Sequence, residues 1–529
     1  MIYLLQQLLI YSAKLYPNKD AVVYGNERIT YKDLDQITNK LARTLKANGV
    51  KKGDRVGIYI NKSIPSIISI QGILKAEAVY VPLDPNAPLS RLAFIIQNCG
   101  IRCLLTSTKK AGTLSNMFPE RNPLEVVVLT DNLLNFGDDS PIKVIPWEKV
   151  VNQDASPHAE NSTIEADLAY ILYTSGSTGL PKGVMISHLN ALTFINWGYA
   201  TFNVNSEDQL SNHAPLHFDL SIFDIFVAFK AGATLVLVPE TISTFPIRLA
   251  ELIQNTRITV WYSVPSILIQ LVNHGDLKKY KFPNLRTILF AGEVFPVKYL
   301  RQLMALLPQA QFYNLYGPTE TNVCTYYHVK EISPDRLEPY PIGKAISNVE
   351  VFALNDHNQR AKTGEVGELV ARGSTVMSGY WGLPDKTNSV LTLNPLQSYY
   401  RDYIYHTGDL VKQDEDGNYL FIGRKDNMIK SRGYRIELGE IETTLYSHKK
   451  IKECAVVAIP DDQIGNKIKA FIVLQRDEIL TKIEIEKYCL ERIPKYMLPE
   501  VIEFSETLPK TSTGKIDKQS LTRISGNTV

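Results

Sequence analysis

Tyr173-Thr174-Ser175-Gly176-Ser177-Thr178-Gly179-Leu180-Pro181-Lys182-Gly183 gathers three glycines, four aliphatic hydroxyls and one lysine. Ile171-Leu172-Tyr173 leads into it and Val184-Met185-Ile186-Ser187 leads out, and both flanks read as strands. Small residues let backbone N–H groups close on an anion, while hydroxyls and an ammonium complete the cradle. The loop therefore suits nucleotide phosphates. It is not G-x-x-x-x-G-K-[ST], because two residues separate Gly179 from Lys182 and Gly183 follows.

Outward from this loop, helix and strand patterns alternate. The opening apolar stretch predicts a helix to Tyr16, with Leu4, Leu5, Leu8 and Tyr11 on one side and Pro17 as its stop. Ala21–Tyr24 and Arg28–Tyr31 read as a hairpin around Gly25-Asn26. Lys32 to Ala47 has helical spacing, and Arg55–Ile60, Cys103–Thr106, Val126–Leu129, Thr234–Val238 and Ile258–Tyr262 read as strands. This rhythm predicts an α/β architecture of layered mixed sheets and helices. From Tyr340 to Leu420 strands shorten and turns crowd, which predicts a twisted β subdomain. The boundary expected is residues 1–424 for a large N-terminal core and 425–529 for a small, mobile C-terminal α/β domain, where 482–490 reads as a helix and 453–459 and 469–474 as strands.

A chain of 529 residues exceeds what one core usually supports. The net charge of +2 gives nucleic-acid binding little support, and no 18-residue apolar run offers a membrane span. Five scattered cysteines form neither a disulfide framework nor a zinc pattern, and a reducing, cytoplasmic compartment fits.

Further strings carry chemistry. Asn314-Leu315-Tyr316-Gly317-Pro318-Thr319-Glu320-Thr321 contains a tight turn that can present Glu320, a carboxylate suited to Mg²⁺ beside phosphates or to capping a helix. Asp409, after Thr407-Gly408, can accept both hydroxyls of a ribose, and Arg424 suits either a ribose contact or a salt bridge. Lys515 stands in the glycine-flanked, hydroxyl-rich run Pro509–Asp517. Asp219, after Phe218, is either a helix cap or a partner for a substrate amine.

With Val79–Pro85 and Arg432-Gly433-Tyr434-Arg435-Ile436-Glu437, this ordered set resembles the adenylate-forming enzymes over nearly the whole chain. The nearest branch is the adenylation domains of non-ribosomal peptide synthetases. The resemblance implies the acyl-adenylate synthetase fold, ATP and Mg²⁺ as cofactors, and catalytic roles for Lys515, Glu320 and Thr174. It implies nucleotide contacts at Thr174, Ser175, Gly176, Ser177, Thr178, Gly179, Lys182, Gly292, Glu293, Asn314, Tyr316, Gly317, Thr319, Asp409, Phe421, Arg424 and Lys515, with Tyr316 stacked on adenine and Glu320 as the metal ligand. It places a hinge at Asp426, with the Arg432-Gly433-Tyr434 turn lining a thiol tunnel after rotation. No cysteine here sits in a nucleophile motif, so the thiol is expected on the phosphopantetheine arm of a separate carrier protein.

The same resemblance assigns Asp219 to the substrate α-amine and Leu220, Phe223, Tyr262, Leu289, Ala291, Leu315, Val323 and Cys324, with Lys515, to the substrate pocket. No side-chain charge appears among the apolar wall positions, and three are bulky, so a small apolar amino acid fits. The composite is similar to free-standing prolyl-activating enzymes, including the proline-loading branch of cyanobacterial anatoxin synthesis. L-Proline is the expected substrate, with another small apolar amino acid, or an acyl-CoA ligase activity, as alternatives. A chain ending soon after Lys515 is expected to meet its carrier in trans. Glu77 and Met428 depart from the family's frequent glycine and glutamine and read as local packing variation away from substrate. Lys515→Ala should cut amino-acid-dependent pyrophosphate exchange about 10²–10³-fold, the usual size for a lost electrostatic donor; a loss below about fivefold would remove that assignment.

Overall fold

The computed structural model describes residues 2–118, 122–131, 142–157, 162–176, 180–426, 428–510 and 516–526, without the side chains of 519 and 526. Among these, two large sheets build the N-terminal part. The first has nine strands, in the order Lys344–Ala345, Thr325–Val329, Gln311–Tyr316, Thr287–Ala291, Val260–Ser263, Gln209–Asn212, Thr234–Leu237, Asp20–Tyr24, Glu27–Thr30. The second has eight, running from Gly379–Tyr380 through Lys182–Ser187, Leu168–Thr174 and Val79–Pro82 to Lys143–Ile145. One continuous apolar core joins them, drawing Val56 and Tyr170 from the second sheet, Leu235 and Leu289 from the first, and Leu34, Ile67 and Phe226 from helices. Helix Leu220–Ala231 is buried almost all round, as its nearly unbroken apolar sequence requires.

Five strands between residues 349 and 424 form an antiparallel sheet, the β subdomain expected, while Gly379–Tyr380 within that range joins the eight-stranded sheet. The last hundred residues hold a hairpin, Met428–Ser431 with Tyr434–Glu437, and a three-stranded sheet, Ile451–Asp461, Gly465–Leu474 and Val501–Phe504, packed by helices Leu438–Tyr446 and Lys482–Leu490.

Local expectations hold with two instructive shifts. Tyr31 does not extend the hairpin; it opens helix Tyr31–Ala47, because the Thr30 side chain accepts the Asp33 amide and caps it there. In helix Leu5–Leu15 the buried face is Leu5, Leu8, Leu9 and Ser12, while Tyr11 is exposed, since the Ser12 hydroxyl reaches the carbonyl of Phe229. At Glu77 the backbone is left-handed, φ +66°. That conformation is costly for a side chain-bearing residue. The Glu77 carboxylate compensates by binding Lys46 at 2.6 Å and the Ser162 amide at 2.5 Å, and these partners outweigh burial to hold it low, at about 2.

Besides Ser12, the first helix is tied down at its start, where the Leu5 amide donates to Nδ1 of buried His188, 3.1 Å away. Burial lowers His188 from 6.5 to about 4 despite nearby Asp167. The folded state thus prefers neutral imidazole. Its contribution is complete above pH 6.5, falls as the unfolded chain protonates first, and is gone below about pH 4. The linkage is worth roughly 3 kcal/mol. Thermal melting between pH 7.5 and 4.5 should show the parent losing roughly 3 °C more than His188→Gln; equal slopes would refute this coupling.

Candidate active site

The glycine-rich loop joins strands Leu168–Thr174 and Lys182–Ser187, which pair antiparallel with Thr174 opposite Lys182. That pairing holds both loop ends rigid beside the carboxyl end of the nine-stranded sheet, where Gln311–Tyr316 delivers Gly317 to Glu320. Gly317 has no alternative: a Cβ there would meet the Asn322 carbonyl oxygen at 1.6 Å. Between these segments and the C-terminal hairpin lies a cavity of about 100 Å³.

Of the residues singled out from sequence, Thr174, Ser175, Asp219, Leu220, Tyr262, Ala291, Gly292, Gly317, Thr319, Val323, Asp409 and Arg424 line this cavity. Phe223, Leu289, Leu315 and Cys324 are fully buried behind its wall, with Phe223 edge-on to Tyr262 at 5.6 Å. Asn314 donates to the Pro341 carbonyl, Glu293 accepts from the Ser266 and Gly433 amides, and Phe421 is partly exposed on strand Tyr419–Arg424. Ser177, Thr178, Gly179 and Lys515 lie outside the described residues. The flanks of the last, Lys510 and Ile516, pair as a β-bridge in the C-terminal domain.

Glu320 is completely buried. Its Oε1 accepts from Lys182 Nζ at 3.0 Å, Tyr380 OH at 2.7 Å and Arg435 Nη1 at 3.0 Å, and Oε2 accepts from Arg435 at 3.1 Å. Burial alone would raise Glu320, but Arg435 and Lys182 outweigh it and hold the carboxyl far below the usual range. Burial also lowers Lys182 to about 8, against the pull of Glu320. Glu320 is therefore a fixed anion that needs cations. Among the described residues no group of three acidic, histidine or cysteine side chains can hold a metal. One carboxylate beside a phosphate-binding loop suits Mg²⁺, which takes one or two carboxylates and draws its other ligands from phosphates and water.

Asp409 is buried, its carboxylate accepts from Tyr316 OH and Arg424 Nη1, and its backbone amide donates to Thr407 Oγ1 at 3.0 Å. Tyr316 thus spends its hydroxyl on Asp409 and has Lys430 over its ring at 5.8 Å. Arg424 also grips Asp426 through Nε and Nη2 at 2.6 and 2.7 Å, so the expected hinge is pinned to the expected ribose anchor. Asp219 precedes helix Leu220–Ala231 with no capping hydrogen bond from its side chain, which removes the cap reading. Burial raises its carboxyl above the usual range, opposed by Thr319 and Lys430.

Among the wall residues that sequence reasoning did not assign to the site are His217, Asn322, Lys430, Arg435 and Tyr496. Met428, read as remote, also lines the cavity, because the hairpin that carries it is inserted there. A signal was present. Lys430 and Arg435 are direct cross-strand partners on a two-residue turn, Arg432-Gly433, with φ of +52° and +79°. Facing like charges repel. Such a pair is tolerable where anions surround it, and here Glu320, Asp409 and Asp219 do. The turn is itself fitted to the site: a Cβ on Gly433 would meet Val264 at 2.3 Å.

The profile described as AMP-binding enzyme matches residues 10–381, and that described as AMP-binding enzyme C-terminal domain matches 440–515. An L-proline--[L-prolyl-carrier protein] ligase of Pseudomonas fluorescens is 37% identical over 521 residues, 98% of this chain and 99% of that one. One of the same name from Streptomyces coelicolor is 36% identical over 503 residues, 94% and 92% of the two chains. The solved amide bond synthetase McbA of Marinactinospora thermotolerans shares the fold, with a TM-score of 0.86 at 22% identity across 99% of this chain and 100% of that one. No helix among the described residues is long and apolar enough to cross a membrane.

Removing the anion alone should leave Lys182 without its acidic partner and Arg435 with only the more distant Glu437, 3.8 Å away. Glu320→Gln should therefore destabilise the protein by roughly 3–5 kcal/mol in urea unfolding. Glu320→Gln/Arg435→Gln should recover part of that loss; additive losses would show that the contact carries no coupling.

Proposed function

The chain belongs to the AMP-binding enzyme family, and on that premise we propose that it activates L-proline with ATP and passes the prolyl group to the phosphopantetheine thiol of a carrier protein. The observation that carries this reading is Asp219, an uncapped carboxylate on the wall of a small cavity whose neighbouring surface is Leu220, Tyr262, Ala291 and Val323. A buried carboxylate demands a cation, and an amino acid brings one; acetate or a fatty acid does not. The apolar wall offers no counter-charge to an acidic or basic side chain. Relatives that carry proline in their names span almost the whole chain.

In the first step a substrate carboxylate oxygen bonds to the α-phosphorus of ATP, the α–β bridging bond breaks and pyrophosphate leaves. Asp219 holds the ammonium, Asp409 suits the ribose, and Thr174 Oγ1, buried at the cavity without a partner among the described residues, is free to donate to phosphate. Glu320 would hold Mg²⁺, which neutralises phosphate charge when bound. Lys515 would approach the reacting centre in a different orientation of the C-terminal domain, because here the hairpin fills that side. In the second step a thiol loses its proton, its sulfur bonds to the acyl carbon and AMP departs. With the hairpin inserted, Lys430 adds a cation beside Asp409 on the nucleotide side. Asp426, beside the hairpin, is the proposed pivot. The expectation of anatoxin synthesis rests on the pocket resemblance alone; the proline-named relatives come from Pseudomonas and Streptomyces.

Pyrophosphate exchange across the proteinogenic amino acids should give proline the largest rate, and Asp219→Ala should cut kcat/KM for it roughly 30–1,000-fold, the cost of truncating one partner of a buried charge pair. Alanine, valine or an aromatic residue in the lead would overturn the substrate assignment. Exchange with acetate or fatty acids but no amino acid would overturn the role of Asp219 and favour an acyl-CoA ligase.

A further inference from the structure

Helix His188–Thr201 carries a buried glycine, Gly198, in its last turn. Glycine in a helix is destabilising relative to alanine, because it loses more backbone freedom on folding. No turn asks for it here. The helix closes at Phe202 with φ −97°, and Gly198 is not among the glycines with left-handed backbone. The residue that uses the missing side chain is Phe223. A Cβ on Gly198 would meet Cε2 of that ring at 2.8 Å and Cδ2 at 3.1 Å. Carbon atoms in ordinary contact lie ~3.5 Å apart, so the ring edge would have to retreat roughly 0.7 Å.

Its direction of retreat follows from its neighbours. Phe194, Gly198 and Phe202 recur at four-residue intervals, which puts them along one side of the helix. Phe223 fills the notch between the two aromatics, with ring centroids 6.2 Å from Phe194 and 5.7 Å from Phe202. Tyr262, edge-on at 5.6 Å, comes instead from the sheet and lines the cavity. Its strand, Val260–Ser263, is held by parallel neighbours on both edges, Gln209–Asn212 and Thr287–Ala291. Phe223 has no exposed surface, and close-packed interiors transmit displacement. Pushed off the helix, its ring moves toward Tyr262, and the open space beyond is the cavity. Asp219 precedes Phe223 by four residues with helical backbone, so the proposed amine anchor and this ring share one side of helix Leu220–Ala231.

We propose that Gly198 sets the depth of the amino-acid pocket: its bare Cα lets Phe223 sit back against helix His188–Thr201, which keeps Tyr262 clear of the space a five-membered ring needs beside Asp219. This rests on the amino-acid reading of the cavity above and deepens it. Gly198 lies outside the pocket positions assigned from sequence and touches no substrate. It is a positioning residue for specificity, acting through Phe223 and Tyr262.

The test compares kcat/KM for proline and for alanine in pyrophosphate exchange by the full chain. Gly198→Ala should lower the proline-to-alanine ratio at least about tenfold, the lower end of what one methylene is worth in an apolar pocket. The loss should fall on proline, with the KM for ATP unmoved. Gly198→Ala/Phe223→Leu removes the ring edge that collides and should return most of the ratio. Phe223→Leu alone should raise exchange with pipecolate, the six-membered homologue, relative to proline. Both rates in each ratio come from one preparation, so a loss of folded enzyme cancels. An unchanged proline-to-alanine ratio in Gly198→Ala, a double variant no better than the single one, or a KM for ATP that rises with the loss would overturn the proposal. Where Gly198→Ala yields no folded protein, Phe223→Leu decides, and an unraised pipecolate-to-proline ratio overturns it. A parent enzyme led by another amino acid is a failure of the substrate reading alone; the same variants are then scored on that amino acid against a smaller one.

Discussion

A buried carboxylate that cannot be left alone organises this molecule. Glu320 has no solvent to screen it and sits within hydrogen-bond reach of two cations and a phenol. Removing an ion from water to such a place is paid back only by close opposite charge with good geometry. Lys182 supplies one such charge from the N-terminal part, at a position fixed by strand pairing opposite Thr174. The second comes from Arg435, on an element that the hinge reading allows to move. The carboxylate thus has a permanent partner and an exchangeable one.

The exchangeable partner is connected to the rest of the site by short links. Arg424 joins Asp409 to Asp426, so the proposed ribose anchor and the proposed pivot share one guanidinium. Glu293 holds the hairpin tip through the Gly433 amide at 2.6 Å, and Tyr434 stacks on Tyr496 at 3.8 Å while meeting Phe218 edge-on at 5.0 Å. Phe218 immediately precedes Asp219. The proposed anchors for substrate and nucleotide, Asp219 and Asp409, and the proposed metal carboxylate, Glu320, all lie close to the hairpin, which is why its position matters to all three.

Much of this was legible in the chain. The strand–loop–strand frame of the phosphate loop, the apolar helix behind Asp219 and the antiparallel subdomain follow from periodicity and turn residues, because burial on one or both faces imposes those patterns. Helix ends were less legible: Tyr31 belongs to a helix because Thr30 caps it, and Ser12 replaces Tyr11 on the buried face because a carbonyl lies in reach. In the site, glycine-bounded turns marked Glu320 and Asp409 as candidates, and both are buried with hydrogen-bond partners there. What the sequence hid was the hairpin's place, since a contact between residues about 115 positions apart, such as Glu320 and Arg435, depends on the orientation of two domains. Met428 was misread as remote for that reason. The facing cations Lys430 and Arg435 were the available clue that the hairpin had anions to meet.

Domain orientation then follows from differential binding. A ligand shifts such an equilibrium only by the difference in its affinity for the two states. Thr174, Gly317 and Asp409 belong to the N-terminal part and face the cavity with the hairpin in place, so a nucleotide monophosphate held by them gains little from moving the domain. Ser175, Gly176 and Glu320 are different, because the C-terminal domain already uses them. Only a ligand demanding those groups opposes docking.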